Sequence, residues 1–340
     1  MSRLMTGCLV LICVAVWAGV AAQTPSADTK SVASLDAVVV TGEQPGPQLW
    51  KLTHNDHVLW ILATVTPKPR DIAWRSQQVA NVLDSTQEVI DQQLQNSTWA
   101  ANVSIEMDSF NPIAGLRASR RAAKLREAIK PTPLVELLSP EVYARFSKLK
   151  ARYLPKDGSI EMQRPRAAAN RLYNAAIDAA GLSSRAILHD EVHRLARKHR
   201  IKITEITLAV EFDIDTRVLV DAEFNQIAPA AELPCFIDTL EKIESELPTI
   251  TARANAWAIG DVSALRQLPT MRRELCDSVY WSAPRWSQLG TQLETLWLDT
   301  VEVAVTKNKS TLVMLDMAEL MDEEGLLAKL AARGYQVEGP

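Results

Sequence analysis

Three groups of residues in this 340-residue chain have types and spacing that could do chemistry. His189 and His193, in "HDEVH", stand four apart, so both imidazoles share one helix face, the geometry two zinc ligands need. The metalloprotease pattern H-E-x-x-H carries its glutamate base directly after the first histidine. Here that place is Asp190, one methylene shorter, and Glu191 points to another face. No third ligand follows in sequence: His199 lies six residues on, inside "RKHR", where cations oppose a divalent ion. The segment therefore reads first as a solvated, charged helix face and second as a zinc site. Asp316 and Glu319 follow the apolar run "TLVML" and would project near a helix N-terminus, where negative charge is favoured. Such a pair could bind a hard cation or serve as acid and base; helix capping is the simpler reading. The third group, "LWILATVTPKP" (Leu59 to Pro69), ends an apolar β-leaning run in two threonines and a proline. Strand ends of this kind hold ligands in α/β proteins, yet this one offers hydroxyls and no imidazole, carboxylate or thiol.

Other polar residues have plainer explanations. His54 and His57 flank Asn55-Asp56 at a hairpin turn, and "RKHRIK" reads as a helix C-terminus with cations near the dipole. Nine tryptophans against five phenylalanines could supply stacking platforms for sugars, although core packing explains most of them. A net charge of −4 and the lack of a long basic block exclude nucleic acid as the expected partner. With 47% apolar residues the chain can build a substantial core.

The elements that must position these groups follow a short leader. Met1-Ser2-Arg3, the apolar run "LVLICVAVWAGV" and "VAA" match a signal peptide cleaved after Ala22. The run falls short of the ~20 residues of a membrane span, so the expected product is periplasmic or secreted, with no stable span after cleavage. Cys8 and Cys13 leave with the leader. Cys235 and Cys276 remain and are expected to pair in an oxidising compartment, with two buried free thiols as the alternative. Residues 23–48 are polar and small around the island "LDAVVVTG", an expected flexible lead-in, and the domain is expected to span 49–340. "LWKLTHNDHVLWILATVT" reads as a β-hairpin, "DIAWRSQQVANVLDST" as a helix through Ile72, Val79, Val82 and Leu83, and "QEVIDQQL" as a short strand with Asp91 near its end. Helical spacing dominates from about 105 to 200, including "LRASRRAAKLREAIK"; "STLVMLDMAEL" reads as a strand and "GLLAKLAARGYQVEGP" as a helix closed by Gly334 before a last strand. The expected fold class is α/β (α+β), one helix-rich domain around a small mixed sheet.

The two ends of the chain together resemble the TraB/GumN family, whose animal relatives include the Tiki metalloproteases. "LWKLTHNDHVLWILATVTPKPRDIAW" is similar to the family's opening strand-turn-strand and Trp-containing segment. "TLVMLDMAELMDEEGLLAKLAARGYQV" is similar to its closing segment, and "NAWAIGDVSALRQL" to a middle stretch. The resemblance runs from about Leu49 to Val337. It implies a divalent-metal hydrolase centre built on two G-x-x-H motifs and an acidic residue after the next strand. Carried across, the first motif is Ala63-Thr64-Val65-Thr66, the second is Asp316-Met317-Ala318-Glu319, and the acid is Asp91; a family arginine falls loosely on Arg285. Both imidazoles are thus replaced, and a threonine hydroxyl is a poor ligand for a borderline metal. Ala63 and Asp316 also replace glycines that permit tight turns. The resemblance therefore implies an exported, catalytically degenerate relative that binds an envelope protein, peptide or glycan. The alternative is an active, peptidase-like hydrolase whose Asp91, Asp316 and Glu319 hold Mn²⁺, Ca²⁺ or Mg²⁺, with Thr66 positioning substrate or water.

Overall fold

A computed structural model describes residues 38–74, 77–91, 103–106, 120, 132–185, 187–206, 208–211, 228–269 and 289–340. The expected helix "LRASRRAAKLREAIK" apart from Arg120, together with Cys276 and Arg285, lies outside the described residues. In chain order, strands β1 (Gly42–Gln44), β2 (Leu49–His54), β3 (His57–Thr64), β4 (Lys68–Pro69) and β5 (Ile72–Trp74) precede helix α1 (Gln77–Ser85), β6 (Glu88–Asp91) and β7 (Val103–Glu106). The middle holds α2 (Leu134–Leu137), α3 (Pro140–Tyr153), α4 (Pro165–Ala179), β8 (Leu182–Ser183), α5 (Ile187–Lys198), β9 (Lys202–Glu205) and β10 (Leu208–Glu211). Then come α6 (Leu233–Glu241), α7 (Leu247–Ile259), α8 (Val262–Gln267), α9 (Leu289–Lys307), β11 (Ser310–Asp316), α10 (Met317–Met321), α11 (Leu326–Ala332) and β12 (Gln336–Glu338).

Local chemistry accounts for most of these boundaries. The β2–β3 hairpin turns at Asn55, whose φ of 53° suits an asparagine. Ser139 caps α3 by accepting from the Val142 N–H at 3.3 Å, with Pro140 in the first turn. Gly260, at φ 74°, closes α7, and Asp261 caps α8 through the Ala264 N–H. One expected helix starts later than the spacing suggests. Ile72 belongs to β5, which pairs with β1, and the helix proper begins at Gln77. The hydrogen bonds that Gly42 to Gln44 offer decide the matter for residues whose side-chain pattern fits a helix equally well.

Six strands form a mixed sheet in the order β12-β2-β3-β11-β6-β9. β3, β11, β6 and β9 run parallel, so their carboxyl ends share one edge. The hairpin partner β2 and then β12 add antiparallel strands on the other side. β11 is buried along six consecutive residues, as expected for a central parallel strand covered on both faces. α5 lays Leu188, Val192, Leu195 and Ala196 on the sheet core, and Trp297 and Val301 of α9 join the same cluster. A second, helical core gathers Phe146, Leu172, Cys235 and Phe236, with the two phenylalanine rings 5.5 Å apart.

The chain is tied to this body well before Leu49. Asn255 on α7 donates to the Val38 carbonyl and accepts from the Val40 N–H, and the Gly46 N–H reaches the Ala258 carbonyl. Residues 36–340 form one compact unit. Among the described residues no helix is long and apolar enough to cross a membrane.

Candidate functional site

The register of the parallel strands brings separate parts of the sequence to one edge. Asp316, the last residue of β11, lies opposite Thr64, the last of β3. Asp91, the last of β6, lies opposite Met314, two residues short of Asp316 on the same strand. Beyond β3 the chain passes through Val65 and Thr66, takes a cis peptide bond into Pro67, and enters β4, where Lys68 pairs with Ser183 of β8. Trp257 of α7 fixes this exit: its indole N–H donates to the Ala63 carbonyl at 2.9 Å in a fully buried contact. A ligand on this edge would meet two distinct chemistries.

The first sits where β3 and β11 end. The Asp316 carboxylate accepts from the Ala318 N–H at 2.8 Å and so caps α10. Burial pushes its carboxyl up to about 6; the cap N–H and Arg253 oppose the shift, and the charge of Glu319 adds to it. Arg253 reaches this position from α7. Burial lowers its guanidinium, Asp316 holds it up, and it donates to the Pro269 carbonyl. Its Nε is buried with no hydrogen-bond partner among the described residues. Glu319 is half-buried one turn into α10. Gly325 lies against that turn, and a Cβ there would collide with the Glu319 carbonyl.

The second is the end of β6. The Asp91 side chain is fully buried, and two imidazoles close on it from α5. His193 Nε2 is 2.7 Å from Oδ2, and His189 Nε2 is 3.4 Å from Oδ1. The solvated helix face expected at "HDEVH" is therefore corrected: His189 is 6% exposed, and only Asp190 of the five residues is exposed. The helical wheel explains why. His189 and His193 border the stripe of Leu188, Val192 and Ala196, and α5 packs so that this border lies over the β6 terminus. Burial, then the charges of Lys68 and His193, drive the His189 imidazole down to about 4, against Asp190. Lys68 is itself buried, which brings its ammonium down to about 8 while Asp190 pulls upward.

The site residues expected from sequence thus divide. Asp316, Glu319 and Thr66 fall at the β3–β11 end, and Asp91 falls one strand over beneath α5. Lys68 and Arg253 were not singled out from sequence. Lys68 follows a strand end inside "PKP", and Arg253 stands in a helix whose other residues are small or apolar; neither carries a local signal of burial. Cys235 is fully buried on α6.

Whether the β3–β11 end fits a catalytic metal is decided by its donors. Asp316 is committed to a helix cap, Thr66 presents a neutral hydroxyl, and Arg253 brings a cation. This set does not fit a borderline divalent ion. Among the described residues no group of three or more His, Cys, Asp or Glu side chains is placed to hold a metal ion. A family model, that of the TraB/PrgY/gumN family, matches residues 48–339. No curated protein and no solved structure matches this chain.

Proposed function

Because the chain belongs to the TraB/PrgY/gumN family, we propose that it is an exported member whose strand-end centre has left metallohydrolase chemistry and now serves binding. The observation that carries this reading is the state of Asp316. At the position of a turn glycine stands a carboxylate already engaged as the cap of α10, beside Arg253 and with Thr66 and Glu319 in the two histidine places. The leader of residues 1–22 supports export to the periplasm or beyond, and burial of Cys235 is compatible with a bond to Cys276 in that compartment. The expected partner is an envelope protein, a peptide or a glycan that meets the carboxyl edge of the sheet.

The competing reading is a hydrolase using oxygen ligands from Asp91, Asp316 and Glu319. The register that places Asp91 and Asp316 on adjoining strand ends favours it. Thermal melts with Mn²⁺, Ca²⁺, Mg²⁺, Zn²⁺ or chelator, on the wild type and on Asp316→Ala/Glu319→Ala, separate the two. A ligand bound only by the native state at ~100 times its Kd adds about 2.7 kcal/mol, which a melt resolves. Any metal-dependent shift is expected to survive the double substitution. A shift that the double substitution abolishes would overturn the binding reading in favour of the hydrolase.

A further inference from the structure

We propose that the start of α5, with Lys68 across from it, is a binding site for a carboxylate, whether of a small acid or carried by a larger ligand. The inference is independent of the fate of the β3–β11 end, because none of its donors is Thr66, Asp316 or Glu319.

Three observations carry it. The first is a cation without a partner. Lys68 is 3% exposed, and its ammonium makes no hydrogen bond or ion pair with any of the described residues. A buried ammonium is costly unless an anion or hydrogen-bond acceptors meet it, so folded proteins rarely leave one unmatched. The second is its place. Lys68 of β4 pairs directly with Ser183 of β8, so the two side chains stand on the same face of that short ladder. Four residues after Ser183 the twelve-residue α5 begins, and the ammonium is close enough to its first turn to feel Asp190 and to disturb His189. The third is that the other groups here donate. The Ser183 hydroxyl accepts from the Arg185 N–H at 3.2 Å, which leaves its own proton to give. The first N–H groups of a helix have no partner within it and form the positive end of its dipole. An ammonium, a hydroxyl and helix N–H groups together require a ligand that accepts only and carries negative charge.

Local charge sets how much negative charge fits. Lys68 and the exposed Arg185 bring two cations, and Asp190 in the first turn of α5 takes back one. The remaining single positive charge matches a carboxylate. A dianionic phosphate would leave one negative charge against Asp190 with no cation to meet it. The site is also held in place before any ligand arrives: Pro69 restricts the backbone beside Lys68, β8 pairs with it, and β4 packs on α7.

The test reads the lysine itself. In protein labelled with ¹³C and ¹⁵N at the lysine side chains, in metal-stripped neutral buffer, the Lys68 ammonium signal is assigned by its loss in Lys68→Met. Acetate, N-acetylglycine as a peptide end and glucuronate as an acidic sugar are then added in turn to the unsubstituted protein, with N-acetylglycinamide as the uncharged control. A carboxylate should move the Lys68 signal saturably while the amide leaves it in place, and the tightest of the three names the source. Followed through the backbone amides of Leu188 and His189, Lys68→Met should weaken that binding about tenfold or more. Asp190→Asn, at an exposed position, should tighten it about threefold. A Lys68 signal that none of the carboxylates moves overturns the site. So does binding that survives Lys68→Met undiminished, or inorganic phosphate that binds more tightly than every carboxylate.

Discussion

The ends of β11 and β6 are one strand apart and carry the same residue, an aspartate, in the same place, yet the two carboxylates have different surroundings. Asp316 is satisfied locally: its partner, the Ala318 N–H, is two residues on, and the contact forms with the first turn of α10. Asp91 is met at long range, by imidazoles about a hundred positions later in the chain that reach it only once α5 lies on the sheet. Local satisfaction leaves Asp316 at a helix cap with a moderate burial penalty. Long-range contact makes Asp91 part of the packing of α5 itself, so its loss should be felt across the core.

The largest expected effect breaks that contrast most directly. Asp91→Ala strips a buried cluster of its one carboxylate and leaves two imidazoles over an apolar strand end; it should cost about 3 kcal/mol in denaturant unfolding. Asp316→Ala should cost about 1 kcal/mol in acid, where its charge is absent, the usual worth of a cap; at neutral pH relief of the buried charge offsets it. Equal losses would show that the two carboxylates are held alike.

Acid sharpens the comparison next. The folded His189 titrates near 4 against 6.5 for the free group, so the unfolded chain takes up its proton first. This contribution to stability is complete above about pH 6.5, falls as pH drops toward 4 and is then exhausted. The slope is at most about 1.4 kcal/mol per pH unit. Melts in chelator should show the slope, and His189→Gln should flatten it.

Trp257→Phe tests the shared support of the β3 exit. It leaves the buried Ala63 carbonyl without its donor and should cost about 1.5 kcal/mol in the same unfolding assay. The smallest expected effect has the opposite sign. The folded Asp316 titrates near 6 against 3.8, so its charge opposes folding and stability declines as pH rises through that window. Asp316→Asn keeps a capping oxygen and removes the charge. It should stabilise by about 1 kcal/mol at pH 8 and by nothing at about pH 2.5, where both states are protonated. A loss at pH 8 would mean that the charge on Asp316 is needed by a partner on this edge.

Much of the scaffold is legible in the chain itself because it rests on short-range rules. Asn-Asp between two β-patterned runs makes the β2–β3 hairpin, the apolar "TLVML" makes a central strand, Gly260 and Asp261 end one helix and start another, and Gly334 closes α11. The kinship with the TraB/PrgY/gumN family, carried by the end segments, is likewise a property of the string, and so is the replacement of both G-x-x-H imidazoles. Only the tertiary structure decided which polar residues are wet. "HDEVH" is polar at every residue except Val192, which by composition suits solvent, and α5 became buried along that border because its neighbouring apolar stripe had to cover the sheet. In the same way Lys68 and Arg253 have no local mark of their position. Hydrogen-bonding and turn chemistry act over a few residues and can be read in order, whereas burial is a property of surfaces that meet from distant parts of the chain.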